Sequence, residues 1–336
     1  MKKKIFISLS IVAGIVALWI ILKVIPFKEI INSFQSGTPE AIIGYLIVSI
    51  FLMAVLAWRW KIILKSQGIE VPFYNTLAYR FIGYGISYLT PSAKLGGEPV
   101  RAALLTRHGI KFPKALSSIV IDKTIEVSSS ALFFFIGVLI VLFRFALPGQ
   151  TEITMLLFAI AFLSLMVFVY QRMASGKGFI ASSCRLLKLH KIKKLNLSEK
   201  KLESFEELII KFFQKDKKDF ILALIASFVS WVLMFFEYKL AGLILGLNFS
   251  FLAIFLIVSF VGVAVLIPIP MAIGSLEASQ IAVFTMLNIK SAAGVALALL
   301  VRARDLMWSV IGLLFLSYYG IRVSQTIKKS YVNNSK

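Results

Sequence analysis

Runs of about twenty apolar residues recur along this 336-residue chain, and each is long enough to cross a bilayer's hydrocarbon core as a helix. Where no water reaches the backbone, every N–H and C=O must be satisfied internally, so such runs fold as helices. The composition agrees. Hydrophobic residues make up 59% and charged residues 16%, with mean hydropathy +0.89, and a soluble core cannot hide that much apolar surface. The single cysteine excludes a disulfide framework or a Cys-rich metal cluster, and His108 and His190 lie too far apart to read as a ligand pair. No Walker A sequence, dinucleotide fingerprint or nucleophile elbow is present, so neither metal nor cofactor is expected. The net charge of +21 reads as basic loops against anionic headgroups, not as a nucleic-acid surface.

The expected fold class is all-α: a polytopic membrane protein of about six full transmembrane helices plus two broken re-entrant hairpins in an inverted repeat. The full spans are 5–22, 41–64, 114–145, 151–171, 219–246 and 291–323. The first follows Lys2-Lys3-Lys4 like a secretory signal, but no small-residue cleavage site comes after it, so it reads as a retained span. Trp58-Arg59-Trp60-Lys61 suits a headgroup boundary. Residues 73–108 and 251–288 differ from the rest: an apolar run breaks at Pro and Gly and resumes as a shorter helix. Pro91, Gly96 and Gly97 shape the first break; Pro268, Pro270 and Gly274 shape the second. Irregular backbone at membrane depth survives where protein or a wet cavity covers it, so both stretches read as hairpins that dip in and return; two short ordinary spans each is the alternative. Basic residues orient the chain. Segment 171–218 carries thirteen Lys and Arg, while the segments assigned outside hold only Lys28 and Lys290. Both termini then lie in the cytoplasm of a plasma-membrane protein. Within the basic segment, Leu202, Phe205, Ile209, Phe212 and Phe213 recur at helical spacing over 199–214, which predicts an amphipathic helix on the inner membrane surface.

A shift of 179 lays the second hairpin on the first. Pro91 meets Pro270, Glu98 meets Glu277, Ile110 meets Ile289, Lys123 meets Arg302 and Glu126 meets Asp305. A shift of 178 also aligns Gly68-Ile69 with Gly246-Leu247. Residues 1–336 thus form a single membrane domain: a first helix (1–25), repeat 1 (41–145), a connecting helix with the basic segment (146–218), repeat 2 (219–323) and a tail (324–336). Three crossings separate the hairpins, an odd number, so the units are inverted. Inverted repeats with broken helices point to alternating access around a midplane site.

Charges inside spans cost several kcal/mol and persist by pairing or by facing a cavity. Asp122, Lys123 and Glu126 cluster on one span; Arg302, Arg304 and Asp305 cluster on its repeat equivalent. The hairpins add Arg80, Lys94, Glu98, Arg101 and Glu277, and Glu237 and Lys239 interrupt 219–246. These charges either line a polar cavity or lock the bundle through pairs such as Glu98–Arg101 and Arg302–Asp305. In the cavity reading Arg101, Lys123 and Arg302 meet an anionic headgroup. Glu98, Glu277, Asp122, Glu126 and Asp305 serve as counter-charges, proton carriers or partners of a cationic headgroup. Half-helix N-termini after Gly97 and Gly274 would offer N–H groups to an anion.

The stretch Tyr84 to Arg107, with Pro91, Gly96, Glu98 and Arg101, resembles the first signature of the lysylphosphatidylglycerol synthase transmembrane region, a flippase-like family. The turn Pro268-Ile269-Pro270-Met271-Ala272-Ile273-Gly274-Ser275-Leu276-Glu277 resembles its second, and Arg302 its closing basic residue. Met271-Ala272 stands where the family often has glycines. The resemblance implies a lipid flippase-like domain moving a phospholipid or isoprenoid-linked lipid. The longest relatives append an aminoacyl-tRNA-using transferase domain, which this sequence lacks, so lipid synthesis by this chain alone is not expected. Membrane lipids are the expected partners, with a homo-oligomer or a separate lipid synthase as further possibilities and no nucleic acid. A membrane-embedded glycosyl- or aminoacyl-lipid transferase, or a non-transporting synthase partner, is the alternative function.

Overall fold

The computed structural model describes residues 38–90, 95–144, 149–176, 199–265 and 269–319, with Lys28, Gly178 and Ile267. The first span at 5–22, Pro91, Lys94, Pro268 and the tail lie outside them. Ten α-helices and no strands occur among the described residues: α1 (Pro39–Ser66), α2 (Phe73–Leu89), α3 (Glu98–Leu105), α4 (Phe112–Arg144), α5 (Gly149–Ala174), α6 (Glu199–Gln214), α7 (Lys217–Ile244), α8 (Phe251–Ala264), α9 (Ser275–Met286) and α10 (Ser291–Tyr318). Helices α1, α4, α5 and α7 are long and apolar enough to cross a bilayer. Helix α10 has that length but carries Arg302, Arg304 and Asp305 in its middle. The chain is a polytopic helical membrane protein. Its outer surface fits that solvent: Ile153, Leu157, Phe158, Leu165 and Phe168 of α5 are exposed, as are Ile43, Ile50 and Phe51 of α1.

Each break falls where the sequence places it. Helix α2 stops at Leu89 and α3 resumes at Glu98 for two turns, closing with a 3₁₀ turn at Thr106–His108. Helix α8 stops at Ala264, a 3₁₀ turn occupies Pro270–Ala272, and α9 begins at Ser275. The stops match in chemistry as well. Helix α1 ends on Gly68 (φ 64°), with Ile69 N–H donating to the Leu64 carbonyl at 2.9 Å; α7 ends on Gly246 (φ 67°), with Leu247 N–H donating to Gly242 at 2.8 Å. Both are Schellman caps, which use a left-handed residue to satisfy the last carbonyls. The two hairpins also close on left-handed residues, Gly109 (φ 76°) and Asn288 (φ 55°), which the 179-residue shift superimposes.

Packing interlocks the two halves. Helix α1 lies along α7, α2 lies along α10, and α8 lies along α4, so each hairpin's first arm rests on the closing helix of the other half. Glycine permits the closest of these approaches. A Cβ on Gly312 of α10 would sit 2.2 Å from the Phe81 carbonyl oxygen, and one on Gly85 of α2 would sit 2.9 Å from that of Ser309. Within the first hairpin a Cβ on Gly97 would lie 1.9 Å from the Gly83 carbonyl oxygen, which fixes why that break needs glycine.

Helix α6 has the expected bounds but a different partner. Ile209, Phe212 and Phe213 are buried against Ile63, Ile121, Ile125, Met173 and Ala223. Its apolar face therefore packs on protein, not on a membrane surface, because Tyr170 and Phe220 already offer an aromatic floor edge-on to Phe213.

Gly97→Ala should destabilise the protein by about 1–3 kcal/mol through overpacking, read as a lowered midpoint in thermal unfolding of detergent-solubilised protein. A midpoint unchanged from wild type would show that α2 and α3 do not cross this closely.

Candidate functional site

Helix α4 carries Asp122, Lys123 and Glu126 within one turn, and three other helices bring cations to them. Asp122 is wholly buried and accepts from Arg59 Nε of α1 at 2.8 Å, Arg80 Nη1 of α2 at 2.8 Å and Arg101 Nη2 of α3 at 3.2 Å. Glu126 accepts from Arg59 and Arg80, each at 3.1 Å, and from Lys123 Nζ at 2.7 Å. Glu98 accepts from Arg101 at 2.7 Å and lies 3.3 Å from Lys123 Nζ. The Arg101 guanidinium also lies 4.0 Å over the Trp60 ring, whose indole N–H donates to Ser118 Oγ at 3.2 Å. Gly83 leaves room for it, since a Cβ there would fall 2.5 Å from Arg101 Cδ.

In the second half Arg302 binds Glu277 in a fork, Nε to Oε1 at 2.6 Å and Nη2 to Oε2 at 2.7 Å. Its remaining donors reach the Met271 carbonyl at 2.7 Å and the Ala272 carbonyl at 3.0 Å. Glu277 accepts the Gly274 N–H at 2.9 Å. Arginine and glutamate together thus hold the second break. That explains how Met271 (φ 56°) and Ala272 (φ 49°) occupy the left-handed region without glycine. The turn is tight despite the missing glycines, at a cost of about 1–2 kcal/mol per residue. Arg304 pairs with Glu237 of α7 and, at 2.7 Å, with Asp305.

A cavity of about 320 Å³ opens between the two halves. Arg59, Arg80, Glu98, Arg101, Lys123 and Glu126 line it from one side; Glu237 and Arg304 line it from the other. Its remaining wall is largely apolar, with Leu52, Met53, Leu56, Trp231, Met234 and Val258.

Of the residues expected from sequence, Glu98, Arg101, Lys123 and Glu126 face this cavity. Asp122 sits behind the arginines it orients, and Arg302 and Glu277 are engaged with the second break instead. Asp305 lines a smaller pocket beside that break, with Arg304, Tyr88 and Met271. Glu98–Arg101 is an ion pair as anticipated, whereas Arg302 pairs with Glu277 and not with Asp305. The Gly274 N–H is occupied by the chain's own carboxylate, so that helix start does not offer it to an anion. Gly97 N–H donates to Ser87 Oγ at 2.8 Å, and Gly96 lies in the same turn. Pro270 opens the second 3₁₀ turn.

Arg59 departs most from the sequence reading. It is 2% exposed, inside the charge cluster, and Trp60 beside it is fully buried, so neither marks a headgroup boundary. Their partners on α4, Asp122 for Arg59 and Ser118 for Trp60, hold this pair inward. A usable signal existed. The 178-residue shift that aligns Gly68 with Gly246 also sets Arg59 opposite Glu237, a second in-membrane charge. His108, beside Arg107, bonds the Tyr79 hydroxyl at 3.0 Å; burial and the Arg107 charge hold its pKa below the usual imidazole value.

The family model described as the lysylphosphatidylglycerol synthase TM region matches residues 5–312. Similar proteins include a UPF0104 membrane protein of Methanothermobacter thermautotrophicus, 23% identical over 95% of this chain and 97% of its own. Another, from Methanocaldococcus jannaschii, is 26% identical over 89% of this chain and 91% of its own. A third, from Pyrococcus horikoshii, is 25% identical over 76% and 81%.

Asp122→Asn would leave three arginines facing an uncharged amide, and removing one partner of a buried ion network costs about 3–5 kcal/mol. The expected result is a steep loss of thermal stability in detergent. Lys123→Gln leaves Glu98 with Arg101 and Glu126 with Arg59 and Arg80, so it should cost less, about 1.5–3 kcal/mol. Equal effects from both substitutions would contradict the keystone role of Asp122.

Proposed function

The chain belongs to the family of the lysylphosphatidylglycerol synthase transmembrane region, and from that premise we propose that it is a lipid translocase of flippase-like type, acting in the plasma membrane with both termini in the cytoplasm. The observation that carries the reading is the cavity between the halves. It combines charged side chains with an apolar wall, which suits a polar headgroup leaving its acyl or isoprenoid tails in lipid. The matched stops, the two broken helices and the exchanged packing support an inverted repeat, in which rocking of one half against the other exposes the cavity to alternate sides. Glu98, Arg101, Lys123 and Glu126 are the headgroup-contacting groups, with Arg59 and Arg80 beside them. Asp122 orients the arginines. The Arg302–Glu277 fork keeps the second hairpin's turn in shape, and Asp305 does the same for Arg304.

The test is headgroup movement in proteoliposomes carrying fluorescent lipids, with dithionite quenching the accessible leaflet. Lys123→Gln and Glu126→Gln each remove a charge-assisted hydrogen bond worth about 1.5–3 kcal/mol. Each should slow translocation by roughly tenfold or more in protein that still purifies folded from detergent. Quenching no faster than in empty liposomes, across lipids and with a pH gradient, would reject transport and favour the transferase or synthase-partner function.

A further inference from the structure

Equivalent positions of the two halves line the cavity. Under the 178-residue shift Leu52, Leu56 and Arg59 of α1 fall on Ser230, Met234 and Glu237 of α7, and all of them line it. Arg80 and Ser87 of α2 fall on Val258 and Val265 of α8, and these line it too. So do Glu126 and Ser130 of α4, with Arg304 and Trp308 of α10 as their counterparts. Like positions thus face each other across the cavity. One pair of elements breaks the match. Helix α3 contributes Glu98 and Arg101, whereas its counterpart α9 contributes no residue.

The 179-residue shift that superimposes the hairpins sets Arg101 on Gln280 and Gly83 on Gly262. In the first half these two positions are joined. Arg101 lies against Gly83, where a Cβ would fall 2.5 Å from its Cδ. In the second half they stand apart. Gln280 is fully buried on α9, and neither its Nε2 nor its Oε1 has a hydrogen-bond partner among the described residues. It shares a helix face with Leu276, Val283 and Phe284, which are also buried. An amide with no partner at membrane depth is costly, and an apolar side chain of similar size would avoid that cost. Gly262 lines the cavity, and a Cβ there would meet nothing within 4 Å among the described residues. The second half therefore holds both members of the contact without making it: a side chain with unmet bonds, and an open glycine face beside the cavity.

From this we propose that Gln280 is a headgroup-contacting residue of the state in which the cavity opens to the other side of the membrane. In an inverted pair, exchange of arrangement between the halves turns an opening on one side into an opening on the other. The exchange carries α9 to the cavity, as α3 is here, and packs α3 away, as α9 is here. The Gln280 amide then lies beside Gly262, and its N–H donates to a headgroup oxygen. Bonds that Gln280 lacks in one state are made in the other. The inference rests on reading the cavity as the site of a lipid translocase and adds a residue that holds the headgroup at the far end of its path.

The experiment measures dithionite quenching of acyl-chain-labelled phosphatidylglycerol and phosphatidylethanolamine in phosphatidylcholine vesicles, together with the thermal midpoint of each protein in detergent. Gln280→Leu removes an unmatched amide, so its midpoint should hold or rise, while translocation slows by roughly tenfold. Gly262→Ala meets open space here, so its midpoint should hold as well. Its methyl group occupies the place Gln280 comes to, and translocation should slow. A purely structural role would move midpoint and rate together. Sidedness is read separately, from Gln280→Cys and Leu95→Cys proteins that also carry Cys184→Ser, treated with a membrane-impermeant thiol reagent in intact cells and in inside-out vesicles. Leu95 is exposed and lines the cavity, so Leu95→Cys should react from one face. Gln280→Cys should react from the opposite face. Wild-type rates in both Gln280→Leu and Gly262→Ala would overturn the inference while the translocase function stood. So would a Gln280→Cys protein that reacts from neither face, or from the same face as Leu95→Cys. Wild-type protein that moves neither probe faster than empty vesicles would remove both.

Discussion

Asp122 is the interaction on which the first half depends. One carboxylate with no exposure receives guanidinium groups from α1, α2 and α3 while sitting on α4. Those four helices have apolar surfaces that a bilayer solvates as well as a neighbouring helix does, so hydrophobicity alone gives them little reason to associate. Buried charge supplies the reason. Each arginine is expensive in the membrane by itself and acceptable only beside Asp122 and Glu126, so the cost of isolation becomes the force for assembly. The cavity is a result of this arrangement. Cations gathered around a common acid leave their outer edges, and Lys123, facing the gap toward the second half.

The second half solves a different problem with the same residue types. There the arginine and glutamate on α10 and α9 stabilise backbone, not helix association. Arg302 spends two donors on the carbonyls of Met271 and Ala272, holding a conformation those residues disfavour. Lys123 and Glu98, their equivalents under the 179-residue shift, also form an ion pair, but at 3.3 Å and beside the cavity. Equivalent positions thus keep the pairing and change its use.

Much of this was legible beforehand. The apolar runs gave the long helices, and Pro and Gly gave both breaks. Spacing brought Asp122 and Glu126 onto one face. What escaped were partnerships that sequence spacing does not encode. Trp58-Arg59-Trp60-Lys61 has the composition of a membrane boundary, and the position of Asp122 on α4 turns Arg59 inward. The Leu/Phe stripe of α6 fits a membrane surface or a protein floor equally well, and the aromatic cluster at Tyr170 and Phe220 decided between them. Arg302 had two acids at helical or repeat distance, and the fork geometry chose Glu277 over Asp305.

The exchanged packing of the hairpins also fixes an order of events during synthesis. Helix α2 leaves the ribosome early, but its carbonyl at Phe81 meets Gly312 of α10, the last described helix to be made. The first half can settle its charges around Asp122 at once, since all its arginines are already present. The face of α2 that packs on α10 has no partner until the second half arrives. For most of its synthesis the nascent chain carries an open seam along α2, and α10 closes it as one of the final acts of biogenesis.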